Sequence, residues 1–394
     1  MIPALLVTDG HEGLAVARGL GLQGVPVVVL AYGPVSVASS KYVQAKIDIP
    51  SPKEAEAFVE KLLEIGRDYE GSLLVTGQDD AVVTISRNKE ALSSCFVVAS
   101  PEWEIAKRFI DKSYTYALAD EIGVPAPKTL SPTHADEVSD YGKVVQYPCL
   151  IKPRQVHLFQ KLFRAKMFLV DDFDELMTKY QEVSQANIEV MIQEFIPGED
   201  VDVVNYNSYI AAGLDPVVFT GVHIRNAPPQ LGSPRVVMSQ DIPEIKEPGR
   251  KLLEAMGFNG FSCTEFKKDS RDGVFKLMEV NGRHNRSAML AIRCGINFPW
   301  IEYAHLMLGE SPRPSGFEEG VYWMDTILDI KSSLRYRREE RYSLAQYVEP
   351  YLKPHVDNFI NFRDLGPIAR RILIGTSRLL KRPFARSDSA PHGE

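Results

Sequence analysis

The first hundred residues constrain the fold most, because unbroken apolar runs alternate there with helical segments. Ala4-Leu5-Leu6-Val7-Thr8, Val27-Val28-Val29-Leu30, Leu73-Leu74-Val75-Thr76 and Phe96-Val97-Val98 read as strands. Stretches to about Gln23, near 53–69 and near 80–92 read as helices. A strand with one face in water alternates polar and apolar residues, whereas these do not, so both faces are expected to be buried. Such strands separated by helices predict a parallel sheet covered on both sides, an α/β unit over residues 1–100. At 394 residues the chain exceeds a single core, and further domains are expected.

Composition narrows the classes of function. The chain is 44% hydrophobic and 25% charged with both signs mixed, as in an ordinary globular protein. A net charge of -7 gives no electrostatic attraction to nucleic acid, which is not expected as a partner. Cys95, Cys149, Cys263 and Cys294 form no CxxC pair and are expected to be reduced. No run of 18 apolar residues is present, and Asp9, His11 and Glu12 interrupt the apolar N-terminus before it reaches signal-peptide length. A cytoplasmic location is expected.

Gly19-Leu20-Gly21-Leu22-Gln23-Gly24 matches G-x-G-x-x-G, but a dinucleotide fingerprint follows a strand and opens a helix. This one closes a helix and precedes a strand, which predicts a C-cap and turn. Ser100-Pro101 predicts a helix start with serine at the N-cap, leading through Phe109 to Asp111-Lys112, and a second helix runs to Glu121. Residues 128–170 read as strand, long basic loop, strand. Beyond them, strands and helices interleave in an α+β pattern. Phe261–Lys267 and Val274–Val280 predict a hairpin turning at Asp272-Gly273. Pro312-Arg313-Pro314-Ser315-Gly316 reads as a linker to a C-terminal extension, whose last ten polar residues are expected to be disordered. Ile368–Phe384 sets Ile368, Ile372 and Leu373 among Arg370, Arg371, Arg378 and Lys381. Packing on its own domain and contact with a membrane surface both fit that pattern.

An ordered series of charged residues runs through the middle of the chain: Lys112; Lys152 in Pro148-Cys149-Leu150-Ile151-Lys152-Pro153; Gln193-Glu194-Phe195-Ile196-Pro197-Gly198-Glu199-Asp200; Glu265; and Glu279-Val280-Asn281-Gly282-Arg283. A charge ending a buried strand, as Lys152 does, either snorkels outward or faces a ligand. The end of the strand before Pro197-Gly198 can offer backbone groups to the edge of a planar ring while apolar flanks sandwich it; an edge strand with an acidic turn is the plain alternative. Glu279 and Asn281, at i and i+2, share one face of a hairpin strand, and Glu265 lies on its partner. Three oxygen donors thus converge, as a hard cation such as magnesium requires. Arg283 extends that face and can stabilise charge on a transferring phosphoryl group or hold a carboxylate. No G-x-S-x-G or Cys–His nucleophile pattern is present.

In order and local context these residues resemble the ATP-grasp ligases over roughly residues 1–310, and among them a carboxylate–amine group similar to D-aspartate ligases. The resemblance implies an ATP-grasp fold with a Rossmann-like domain over 1–100, a small central subdomain over 101–188, a metal-bearing subdomain over 189–310 and the extension over 311–394. It implies that Lys112 and Lys152 hold the phosphates of ATP, that Gln193, Glu194, Phe195 and Ile196 lie at the adenine, and that Asp200 meets the ribose. It places Glu265, Glu279 and Asn281 on Mg2+ or Mn2+, and Arg283 with Lys152 in catalysis. The implied reaction joins a carboxylate, an amino acid or small acid, to an amine through an acyl phosphate, releasing ADP and phosphate. Phosphoryl or carboxyl transfer on the same scaffold, or a nucleotide-dependent membrane-associated binding protein, are the alternatives. Many such enzymes cover the phosphates with a glycine-rich loop, whereas residues 154–167 contain no glycine. Arg154, His157, Lys161, Arg164 and Lys166 are offered instead, so cationic side chains are expected on the phosphates, and the segment is expected to close over ATP. His223, Arg225, Arg283 and His284 are expected around the substrates. A homodimer fits.

Overall fold

The computed structural model describes residues 1–380 apart from 11, 154, 155, 231 and 340, with backbone alone for 156–158 and 374–380. Arg154, Lys381 and the last ten residues therefore lie outside the described residues, as do the side chains of His157 and Arg378. The N-terminal sheet contains β1 (Ala4–Thr8), β2 (Val27–Ala31), β3 (Val43–Asp48), β4 (Ser72–Thr76) and β5 (Phe96–Val98), in the order β3-β2-β1-β4-β5. Every pairing is parallel, as the apolar runs imply. Leu6, Val29 and Val75 face a core shared with helices Gly13–Gly21 and Phe298–Leu308. Leu5, Val7 and Leu30 face the other, shared with Ala55–Gly66 and Asp79–Arg87. The G-x-G-x-x-G segment does close the first helix. A Cβ on Gly21 would sit 2.5 Å from the Tyr42 side chain, and Gly24, at φ 77°, turns the chain into β2.

The small sheet is antiparallel, order β6-β9-β7-β8, with β6 (Thr129–Leu130), β7 (Cys149–Pro153), β8 (Phe168–Val170) and β9 (Val190–Glu194). Two local expectations do not hold. The basic segment after β7 is not a loop throughout: Val156–Phe163 is a helix, whose buried Phe159 packs against Phe163 and Phe168 at 4.8 and 4.9 Å between ring centroids. The i, i+4 spacing of those two rings suits a helix better than an extended chain. The helix after Ser100-Pro101 begins at Trp103, so Glu102 takes the N-cap position expected for Ser100.

The large sheet has seven strands: β10 (Val203–Ile210), β11 (Val217–Ala227), β12 (Ser233–Ser239), β13 (Gly260–Lys268), β14 (Phe275–Asn281), β15 (Tyr322–Met324) and β16 (His355–Asp357), in the order β14-β13-β10-β11-β12-β15-β16. Two of these strands come from beyond the proline-rich stretch. β15 pairs with β12 and carries the fully buried Trp323, so the region read as an appended extension completes the sheet. It also reaches back to the N-terminal helix, where buried Arg18 donates to Asp364 at 2.9 Å. Helix Gly366–Leu380 packs Ile368 against the N-terminal core, and Arg371 donates to Asp325 at 3.2 Å. The near half of the predicted amphipathic segment thus lies on its own chain. Among the described residues no helix is long and apolar enough to cross a membrane.

Candidate active site

The β13–β14 hairpin presents the acids. Cross-strand register sets Glu265 opposite Glu279 and Cys263 opposite Asn281, so Glu265, Glu279 and Asn281 share one face. Phe266, Leu277 and Val280 anchor the hairpin in the core beneath. Two carboxylates directly opposite each other repel, and Lys112 offsets this by placing its ammonium 3.0 Å from Glu279. Lys112 opens helix Lys112–Glu121, whose N-terminus is fixed by the Asp111 carboxylate accepting from the Ser113 amide at 3.0 Å. Burial opposes the charge of Lys112, but Glu279, with Glu265 behind it, holds its pKa above the ordinary range. Burial and then Glu279 raise that of Glu265.

Lys152 enters from the small sheet. It lies on β7, and its ammonium donates to Gln193 Oε1 at 2.5 Å, while Gln193 Nε2 donates to Thr129 Oγ1 at 2.9 Å. Gln193 is fully buried, so its side chain orients Lys152 and does not itself face the cleft. Burial first, then repulsion from Lys112, brings the Lys152 pKa down to about 8. Glu194 is also committed to the protein: Arg271 donates to Oε1 at 2.6 Å, and the Lys128 amide donates to Oε2 at 3.1 Å.

Between the two sheets lies a cleft of about 930 Å³, the size of a site for a nucleotide-sized molecule. Lys112, Lys152, Glu265 and Glu279 line it, as do Phe195, Ile196 and Val203. Leu150, Met191 and Met278 add apolar wall. Lys166 also lines the cleft, whereas Lys161 and Arg164 are exposed and do not.

Several expected residues are placed elsewhere. Asp200 is buried with its oxygens taken up by the protein: the Asn226 and Gln230 amides donate at 2.8 and 2.6 Å and the Tyr342 hydroxyl at 2.8 Å. Arg225 is fully buried, donating to both oxygens of Asp329 at 3.1 and 2.8 Å, with the Tyr347 ring 4.6 Å away. Its charge is matched inside the protein, which removes it as an anchor for a soluble carboxylate. His284 is buried, 3.1 Å from Glu302 and stacked on Phe261, and does not line this cleft. His223 does line the cleft, but its two ring nitrogens meet the side-chain amides of Asn226 and Asn205 at 3.1 and 3.2 Å. Burial lowers its pKa to about 4, so it is neutral and packed. Arg283 stands 3.2 Å from Asn281 Oδ1 but also grips Asp79 of the N-terminal unit at 2.6 and 2.8 Å. Lys267, which lines the cleft beside Phe195, went unread in the sequence although it lies two residues beyond Glu265.

A small antiparallel sheet and a larger one closing on a cleft, preceded by a parallel α/β unit, make up the ATP-grasp fold that the sequence resemblance implied. No family model matches the chain. It is 27% identical over 318 residues to D-aspartate ligase of Enterococcus faecium, covering 75% of this chain and 74% of that one. Its structure is similar to L-amino acid ligase from Bacillus licheniformis, with a TM-score of 0.60, 16% identity, and 78% and 74% of the two chains covered. It is likewise similar to N5-carboxyaminoimidazole synthetase from Staphylococcus aureus complexed with ADP, with a TM-score of 0.63, 14% identity, and 81% and 80% covered.

Proposed function

We propose that the protein is an ATP-grasp carboxylate–amine ligase that uses ATP and a divalent cation to join an amino acid or other small carboxylate to an amine. The observation carrying this reading is the cleft in which Lys112 and Lys152 face the paired Glu265 and Glu279. Lysine ammonium groups act as point charges for phosphate, and a mixed set of lysines and acids suits a metal-bound polyphosphate better than a free anion. Glu265, Glu279 and Asn281 offer oxygen donors only, on one face of one hairpin, which fits magnesium. The cation, when bound, would neutralise charge on the terminal phosphates.

The residues then act by position and charge. Lys112 and Lys152 hold the phosphates while the apolar wall at Phe195 and Ile196 takes the base. The substrate carboxylate attacks the γ-phosphorus, the bond to the β–γ bridging oxygen breaks, and ADP leaves. The amine then attacks the acyl carbon, phosphate departs, and the amine proton passes to solvent or to phosphate. Arg283, beside Asn281, is placed to steady the carboxylate or the phosphate if it turns from Asp79.

The test is an ADP-release screen of amino acids and small carboxylates with hydroxylamine as amine, D-aspartate first because the E. faecium relative is named for it. Hydroxamate formation with one acid is the expected outcome. A stable phosphorylated product instead would establish phosphoryl transfer and overturn the ligase reading. Glu279→Gln is expected to lower turnover about 100-fold or more, and unchanged turnover would show that the metal acids lie elsewhere.

A further inference from the structure

Lys267 lies on β13, two residues past Glu265 and paired with Val203 of β10. At roughly 3.3 Å per strand residue it stands about 6.6 Å from the metal-facing acid, on the side of Phe195. The residue is only 3% exposed, yet it lines the cleft with its ammonium 5.3 Å from the centre of the Phe195 ring. Among the described residues that ammonium makes no hydrogen bond and no ion pair. Its contact with the Phe195 ring is a cation–π one, which uses none of its three N–H donors, so the ammonium is open to a ligand oxygen in the cleft.

The acids of the adjoining turn have their bonds already. Asp200 is satisfied by Asn226, Gln230 and Tyr342. Glu199 pairs with Arg341 at 2.9 Å, and Asp202 accepts from the Glu199 amide at 2.7 Å. A nucleotide with phosphates at Lys112 and Lys152 and base at Phe195 and Ile196 sets its sugar beside Lys267. We infer that Lys267 recognises the nucleotide ribose, its ammonium donating a hydrogen bond to a sugar hydroxyl oxygen; this rests on the ATP-binding reading above.

Calorimetric titration of the full chain with Mg-ATP and with Mg-2',3'-dideoxy-ATP tests it. The native protein should prefer ATP by about ten-fold or more, the value of one hydrogen bond to a charged donor. Lys267→Met should weaken ATP by about that factor, leave the dideoxy nucleotide nearly unchanged, and so bring the ratio towards one. Lys267→Arg, which keeps a donor, should retain most of the preference. Equal weakening of both nucleotides by Lys267→Met, or a ratio unaltered by it, would overturn the inference while leaving ATP binding intact. Failure of the native protein to bind Mg-ATP at all would instead overturn the proposed function.

Discussion

At Lys152, two effects act in the same direction: burial strips water from the ammonium, and Lys112 repels it, which together set a pKa near 8. The free protein therefore favours neutral Lys152 above that pH, whereas a bound triphosphate favours the charged form. Nucleotide affinity should fall as pH rises through about 8, with a proton taken up on binding in that range. Lys152→Arg, which does not titrate there, should flatten the profile; a native affinity constant from pH 7 to 9.5 would contradict the assignment. This lysine was legible in the sequence because it ends a buried apolar strand. Asp200 sits where the family resemblance implied a ribose contact, yet its carboxylate is taken by Gln230 and Tyr342, the latter 142 residues away. No local pattern reports a partner at that distance.

Among the elements, β11 and helix Thr326–Arg338 are joined by Arg225 and Asp329, both fully buried. Removing one member leaves an uncompensated charge, so Asp329→Asn should destabilise the protein by about 3–5 kcal/mol, read as a lowered urea midpoint. Replacing both, as Arg225→Met with Asp329→Leu, should be less damaging than Asp329→Asn alone. Equal losses in the two variants would mean that the pair is not coupled. β1 was readable to the residue because Ala4–Thr8 is buried throughout. β3 escaped because it is an edge strand whose partial exposure lets Lys46 and Asp48 sit within it. The helix Val156–Phe163 was not legible for another reason: basic residues within and around it read as a solvated loop, although Phe159 and Phe163 carry the helical spacing.

For the molecule as a whole, the parallel sheet and the hairpin followed from local patterns and the meeting of the lysines with the acids from the family resemblance, while the closure of the chain on itself followed from neither. The late strands β15 and β16 finish a sheet begun at Val203, and Asp364 reaches the first helix. Arg18 is 1% exposed, and its other acceptor among the described residues, the Asn358 carbonyl at 2.8 Å, also comes from the far end. Synthesis runs from the amino end, so for most of translation this guanidinium has no counter-ion, and settling it into the first core is opposed by desolvation. Released chains truncated before residue 364 should accordingly remain open to protease in their first hundred residues, and chains that include it become resistant; resistance already present in the shorter ones would argue against this. By this pairing, the α/β unit should be made before Asp364 yet mature only after it.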